Sequence, residues 1–143
     1  MNLLTLRQAA ASDADRLAEL RAEALFESLN RLGRYDEQGV RERFRRSFIP
    51  EYTRIVEEGG RFAGCIALKP DSGGYLLEHF YLHADFRGSG LGTRVLRRVL
   101  GEAKNETVRL NVLQGSPARR LYERFGFVTD SEDGIDVYMR LSP

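Results

Sequence analysis

The sequence contains a single cysteine, Cys65, so no disulfide forms within the chain and a reducing, cytoplasmic location is the default expectation. Beside it stand only two histidines, too few ligands for a structural zinc site, so no metal is expected. No apolar run approaches the ~18 residues that a membrane span requires. The first residues also lack the charged, apolar and small-residue segments of a secretory leader. An excess of one charge is missing as well. With 22 basic and 21 acidic side chains, the net charge of +1 gives no reason to expect nucleic acid or an anionic membrane as a partner. Lysine is scarce: Lys69 and Lys104 are the only two, and arginine supplies the rest of the positive charge. What remains is 143 residues, 42% apolar and 30% charged, which suits one compact soluble domain over residues 1–143.

The periodicity of the chain changes several times. "NLLTLRQA" reads as a strand, and "SDADRLAELRAEAL" as a helix. In that helix Ser12 is the expected N-cap, with Asp15 closing a capping box, and Leu17, Ala18 and Arg21 share a mostly apolar side. "DEQGVRERFRRSF" places Val40, Phe44 and Phe48 four apart, a second helix that Pro50 ends. "TRIVEEGGRFAGCIALK" reads as two strands around a Glu58-Gly59-Gly60 turn, and residues 75–83, "YLLEHFYLH", as a third. Residues 90–103 are helical, with Leu91, Val95, Leu96, Val99, Leu100 and Ala103 on one face. "TVRLNVL" is a strand. "SPARRLYERFGF" is a helix with Ser116 as N-cap, Pro117 first and Gly126 just past its end. "FVTD" and "DVYMRL" close the chain around an Asp133-Gly134 turn. The order β-α-α-β-β-β-α-β-α-β-β predicts an α/β (α+β) fold with a mixed sheet.

One stretch, "DFRGSGLGTRVLRRVL", sets three glycines directly before a good amphipathic helix. Either Gly88, Gly90 and Gly92 make a tight turn, or they bare the backbone so that N–H groups at the helix N-terminus can hold an anion. A Walker loop needs lysine before its Ser/Thr, and Gly92-Thr93 has none. The dinucleotide fingerprint needs G-x-G-x-x-G, and this loop is G-x-G-x-G. Arg87-Gly88-Ser89-Gly90-Leu91-Gly92 does fit the Arg/Gln-x-x-Gly-x-Gly/Ala spacing of an acyl-CoA loop.

Two segments carry a resemblance. "FYLHADFRGSGLGTRVL" resembles the strand-turn-loop-helix motif of the GNAT superfamily, the Gcn5-related N-acetyltransferases. "LNVLQGSPARRLYERFGF" resembles that family's second signature, a strand leading to an Ala-x-x-x-Tyr helix closed by Gly-Phe. The resemblance runs from about residue 61 to 130 and is only topological before that. It implies a mainly antiparallel twisted sheet, flanked by helices, whose central parallel strands (75–83 and 108–113) splay apart. It also implies acetyl-CoA as co-substrate, bound by Arg87, Gly88, Ser89, Gly90, Leu91, Gly92 and Thr93. Leu82 is implied as backbone partner of the pantetheine arm and oxyanion donor. Asn111 either assists that arm or caps a sheet edge. Ser116 stands where the family often has an asparagine against CoA, so this contact is shorter in reach. Tyr122 matches the tyrosine that protonates the departing thiolate, although read alone it is a core residue. Dimerisation is common in the family, which points to "DVYMRL" as an edge that pairs with a second copy.

A protonated amine must lose a proton before it attacks a thioester. Glu78, a carboxylate in an otherwise apolar and aromatic strand, is the first candidate base; it is either functional, paired or open to water at an edge. His79 is the second. Neighbouring strand residues face opposite ways, so both reach the cleft only through a bulge. His83 reads as an exposed turn residue and Cys65 as a buried, inert thiol, so direct transfer in a ternary complex is expected. The acceptor site is expected over "FESLNRLGRYDEQ", with Tyr35 and Phe80 among its walls. The near-neutral charge favours a small-molecule amine over a histone-like or nucleic-acid-bound partner and leaves a protein amine open. The alternative function is a non-catalytic acetyl-CoA sensor, which would keep the glycine loop but not need Glu78 and Tyr122.

Overall fold

The computed structural model describes residues 3–103 and 105–143, so Lys104 and the first two residues of the chain, where the predicted opening strand begins, lie outside it. The elements run β1 (Leu4–Gln8), α1 (Ala14–Arg31), α2 (Glu37–Ser47), β2 (Thr53–Glu58), β3 (Arg61–Asp71), β4 (Gly74–Leu82), α3 (Leu91–Leu100), β5 (Thr107–Leu113), α4 (Ala118–Arg124), β6 (Val128–Glu132) and β7 (Asp136–Leu141). This is the predicted order. The strands form one seven-stranded sheet in the order β1-β2-β3-β4-β5-β7-β6. Every neighbouring pair is antiparallel except β4–β5.

The pleat sends alternate residues to opposite faces, and each face is covered by its own helices. Ile55 and Cys65 join Leu17, Ala18 and Leu20 of α1 and Phe44 of α2. Their chain neighbours Val56 and Ile66 join Leu91, Val95, Leu96 and Val99 of α3 and Tyr122 of α4. Two local expectations are corrected. The start of α1 is not capped by Ser12: residues Ala11–Asp13 form a 3-10 turn, and the Asp13 carboxylate accepts the Ala10 N–H at 2.8 Å. The helix predicted over 90–103 is α-helical only to Leu100 and tightens into a 3-10 turn over Gly101–Ala103.

The expected edge is also corrected. "DVYMRL" is β7, which is paired on both sides, with β5 and with β6. The free edge on that side is β6, because the Asp133 turn folds β7 back between its neighbours; Asp133 accepts the N–H groups of Ile135 and Asp136 at 2.8 and 2.7 Å.

The parallel pair decides the shape of the centre. It holds for only three residues on each side, Gly74↔Thr107 to Leu76↔Arg109, and then β4 and β5 separate. On its other side β4 stays bound to β3 as far as Leu82, opposite Gly64. Gly64 is required there by close approach: a Cβ would stand 2.1 Å from the Tyr81 carbonyl oxygen and 3.0 Å from the Leu82 Cα. Gly64→Ala is expected to cost about 1–3 kcal/mol, read as a lower denaturation midpoint at unchanged m value.

Candidate active site

After β4 the chain turns through a 3-10 segment, Ala84–Phe86, capped by His83, whose Nδ1 accepts the Asp85 N–H at 3.1 Å. Phe86 is buried and anchors the loop, and the Ser89 hydroxyl donates to its carbonyl at 2.6 Å. Gly88 and Gly90 have φ of +74° and +81°, and a Cβ on either would meet nothing within 4 Å. That left-handed backbone favours glycine, and the space in front of it is open. Gly90 caps α3, whose first turn carries no acidic residue. The first-turn N–H groups have no partner within the helix. Residues 87–93 therefore present a bare, electropositive stretch of backbone to open space, suited to an anion. Gly92 differs from the other two: its Cβ position points inward, 3.5 Å from Leu121 and 3.6 Å from Leu82.

The gap between β4 and β5 exposes backbone in the middle of the sheet. His83 donates its N–H to Ala63 across β3 at 2.7 Å. By the alternation of a strand, the Leu82 N–H faces the other way, toward the gap. Tyr122, on α4, is buried and packs edge-on to Phe127, with ring centroids 5.7 Å apart. Burial, reinforced by the neighbouring Tyr81, pushes its phenol well above its ordinary pKa, so it keeps its proton.

The bulge that Glu78 and His79 needed is present. Tyr81 pairs with Cys65 and Glu78 with Ala67, so His79 and Phe80 share the single position opposite Ile66. His79 takes φ of +51°. The extra residue puts both His79 and Tyr81 on the α1–α2 face. His79 Nε2 lies 2.7 Å from Ser47 Oγ on α2, and its Nδ1 lies 3.1 Å from the Tyr81 hydroxyl. Arg21 of α1 donates from Nε to the same hydroxyl at 3.0 Å and from a terminal nitrogen to the Val40 carbonyl at 2.5 Å. The directions follow from the donors. The Ser47 hydroxyl donates to the Arg43 carbonyl at 2.9 Å, so it accepts from Nε2–H, and the neutral ring then accepts at Nδ1 from the Tyr81 hydroxyl.

His79 is thus held neutral with both ring nitrogens engaged, which removes it as the second candidate base. Burial first, then the charges of Arg21 and Lys69, lower its pKa to about 4. The sign of the stability effect follows from that depression. In the unfolded chain His79 protonates near 6.5, so folding is fully favoured above that pH and loses stability as the pH falls toward 4. His79→Gln is expected to flatten this slope between pH 6.5 and 4, measured as the difference in thermal midpoint between wild type and variant.

Phe80 is a correction. The bulge turns it to the opposite face, where it packs against the α3 cluster, so it does not wall the α1–α2 side; Tyr81 does. Glu78 is paired: its Oε2 lies 3.3 Å from Lys69 Nζ, and both side chains are partly exposed. Arg21 and Lys69 were not singled out as site residues from sequence. The signal for Arg21 was an arginine inside the apolar side of a helix; for Lys69 it was one of two lysines in a chain whose other basic residues are arginines.

The remaining sequence candidates are spread around this centre. Asn111 is exposed on β5 and donates its amide to Asp136 of β7 at 3.1 Å, which occupies it at the sheet surface. Ser116 Oγ accepts the Ala118 N–H at 3.2 Å and so caps α4. Tyr35 packs edge-on to Phe26, with centroids 4.8 Å apart. Cys65 is fully buried and donates to the His79 carbonyl at 3.1 Å, and burial pushes its pKa up to about 12, an inert thiol as expected. Arg41 and Arg45 pair with Glu19 and Asp15 across the exposed side of α1 and α2. Among the described residues no group of three or more His, Cys, Asp or Glu side chains could hold a metal ion, and no helix is long and apolar enough to cross a membrane.

Comparison with known proteins gives the following. Residues 50–129 match the family described as "Acetyltransferase (GNAT) domain". No curated protein gives a significant sequence match. Among solved structures, the PaiA N-acetyltransferase from Thermoplasma acidophilum, in complex with coenzyme A, is similar at 20% identity and a TM-score of 0.78 over 99% of each chain. An acetyltransferase from Thermus thermophilus is similar at 17% identity and a TM-score of 0.73, again over 99% of each chain. An N-acetyltransferase from Staphylococcus aureus is similar at 19% identity and a TM-score of 0.70, over 96% of this chain and 98% of that one.

Proposed function

This chain belongs to the GNAT acetyltransferase family, and from that premise we propose that it transfers an acetyl group from acetyl-CoA to a primary amine, by direct attack in a ternary complex. The observation that carries the reading is the separation of β4 from β5 immediately after Leu76 and Arg109, with Glu78 at the mouth of the gap and the glycine loop at the end of β4. A pantetheine arm can satisfy the unpaired backbone there as an added strand does. The loop suits the pyrophosphate because the space before Gly88 and Gly90 is open to it.

Acetyl-CoA supplies an activated thioester carbonyl. The N–H groups of residues 88–93 hold the pyrophosphate, with Arg87 at the loop's exposed start. The Leu82 N–H, aimed into the gap, donates to the carbonyl oxygen as charge develops on it, a contribution of about 3 kcal/mol for one preorganised donor. Glu78 takes the proton that an ammonium must lose before attack. Tyr122, kept protonated by burial, donates its proton to the leaving sulfur. The inert Cys65 leaves no thiol here to carry the acetyl group, which favours direct transfer. The acceptor lies on the α1–α2 side, toward Tyr81 and the segment containing Tyr35. The balanced charge favours a small-molecule amine over a histone-like or nucleic-acid-bound partner.

Calorimetric titration with acetyl-CoA, beside free CoA and ATP, tests the reading. Saturable binding of acetyl-CoA without binding of ATP supports it and opens an amine screen. Failure of folded protein to bind either CoA species overturns it. Binding with no turnover of any amine, unaffected by Tyr122→Phe, would assign the chain as a sensor.

A further inference from the structure

One buried hydroxyl is left over from the fold. Ser28, one turn from the end of α1, is only 8% exposed. Among the described residues no hydrogen bond reaches its side chain, whereas buried polar groups as a rule have a partner. Ser47 of α2, by contrast, uses its hydroxyl both as donor and as acceptor. The helix fixes where Ser28 points. Residues seven apart stand two turns apart and point nearly the same way, and Arg21, seven before Ser28, points onto the Tyr81 hydroxyl of β4. Ser28 stands about 10 Å further along the axis. That axis runs toward β5, because Arg31, the last residue of α1, donates to the Gln114 carbonyl just past the end of β5 at 3.1 Å. The last turns of α1 therefore cross the space between the ends of β4 and β5, which separate after Leu76 and Arg109. Ser28 faces that space.

Arg31 borders the same space. Gly115 leaves it a bare seat, since a Cβ there would stand 2.5 Å from a guanidinium nitrogen. The Gln114 carbonyl takes one of its N–H groups, and among the described residues no carboxylate pairs with it. The rest of its planar fork stays available to a carboxylate. Ser28 and Arg31 are i,i+3 neighbours, with Cβ atoms about 5–6 Å apart. A hydroxyl and a guanidinium at that spacing suit an amine and a carboxylate carried on one carbon. Resting on the acetyltransferase reading, we propose that the acceptor is an α-amino acid, its nitrogen hydrogen-bonded to Ser28 and its carboxylate held by Arg31.

The placement fits the chemistry. Tyr81 and Glu78 pair with Cys65 and Ala67, so both lie on the α1 side of β4. The acceptor's ammonium gives a proton to Glu78, directly or through one water. Its nitrogen attacks the thioester carbonyl, the N–C bond forms and the C–S bond breaks. The electron pair leaves on the CoA sulfur, which takes the Tyr122 proton. The products are an N-acetylamino acid and CoA. Ser28 accepts one N–H of the nitrogen and so turns its lone pair toward the carbonyl. Arg21 and Arg31, both on the cleft side of α1, disfavour an acceptor with a second ammonium, such as a diamine.

Initial rates of CoA release from acetyl-CoA are measured with the common α-amino acids, each beside its carboxamide, and with an unbranched diamine. The expected result is that one or more amino acids exceed the matching carboxamide by about 10- to 100-fold in kcat/KM, through KM. Arg31→Gln should bring that ratio close to one. Ser28→Ala should lower kcat/KM for the amino acid by about tenfold without lowering the thermal midpoint, because it removes a hydroxyl that has no partner in the fold. A serine kept only for packing would do the reverse, with a lower midpoint and an unchanged kcat/KM, and that result overturns its role. Binding is read separately by titrating the amino acid into protein saturated with free CoA, where no transfer occurs; Arg31→Gln should weaken it by the same factor. Equal kcat/KM for acid and carboxamide, a ratio that survives Arg31→Gln, or the diamine as the best acceptor overturns the proposal. A protein that acetylates other amines but no α-amino acid refutes this proposal alone; absence of acetyl-CoA binding refutes the function beneath it.

Discussion

Glu78→Gln is expected to lower kcat for acetylation of an added amine by about 100-fold or more, while acetyl-CoA binding stays the same. The carboxamide keeps the size of the side chain and loses its capacity to take a proton. Glu78 is remote in sequence from the loop expected to hold the pyrophosphate, so calorimetry should give an unchanged Kd. The fold should also persist. The Lys69–Glu78 pair is partly exposed and screened by water, so losing it should cost about 1 kcal/mol or less. An unchanged kcat would leave Glu78 as no more than the partner of Lys69, and a water relay would then be the base.

Gly90→Ala is expected to weaken acetyl-CoA binding by about 10- to 100-fold, because hydrogen bonds to a charged group are each worth about 1.5–3 kcal/mol. The reason is geometric. A methyl group at Gly90 meets nothing within 4 Å, so it projects into the open space before the loop. The residue must also hold φ near +81°, which strains alanine by about 1–2 kcal/mol. Gly92→Ala is the control. Its methyl points inward to ordinary contacts with Leu121 and Leu82, so it should affect binding less than Gly90→Ala. Equal effects on both, or none on either, would mean that the loop is only a turn.

These two residues were legible in sequence for different reasons. The glycine loop is local: its spacing, and its place between a strand and a helix, are written in consecutive residues, and its positive φ values follow from them. Glu78 was conspicuous as a charge in an apolar strand, yet its orientation was not. In a regular strand His79 would have faced away from it. The bulge opposite Ile66 reversed that, placed His79 and Tyr81 on the α1–α2 side, and turned Phe80 to the α3 side. A bulge depends on register with β3, and a strand does not specify its partner's register by itself.

The order and type of every element came from periodicity and turn residues, since amphipathic spacing and glycine or proline breaks act within a few residues. The composition disfavoured disulfides, metal and membrane spans for the same reason: it counts what chemistry is available. Only the tertiary structure decided what depends on partners distant in the chain. The insertion of β7 between β5 and β6 is one such case. The Arg21–Tyr81–His79–Ser47 chain is another, because burial under α1 and α2 keeps the histidine uncharged. The pairing of Lys69 with Glu78 is the third, since two charges on adjacent strands meet only once the register has brought them together.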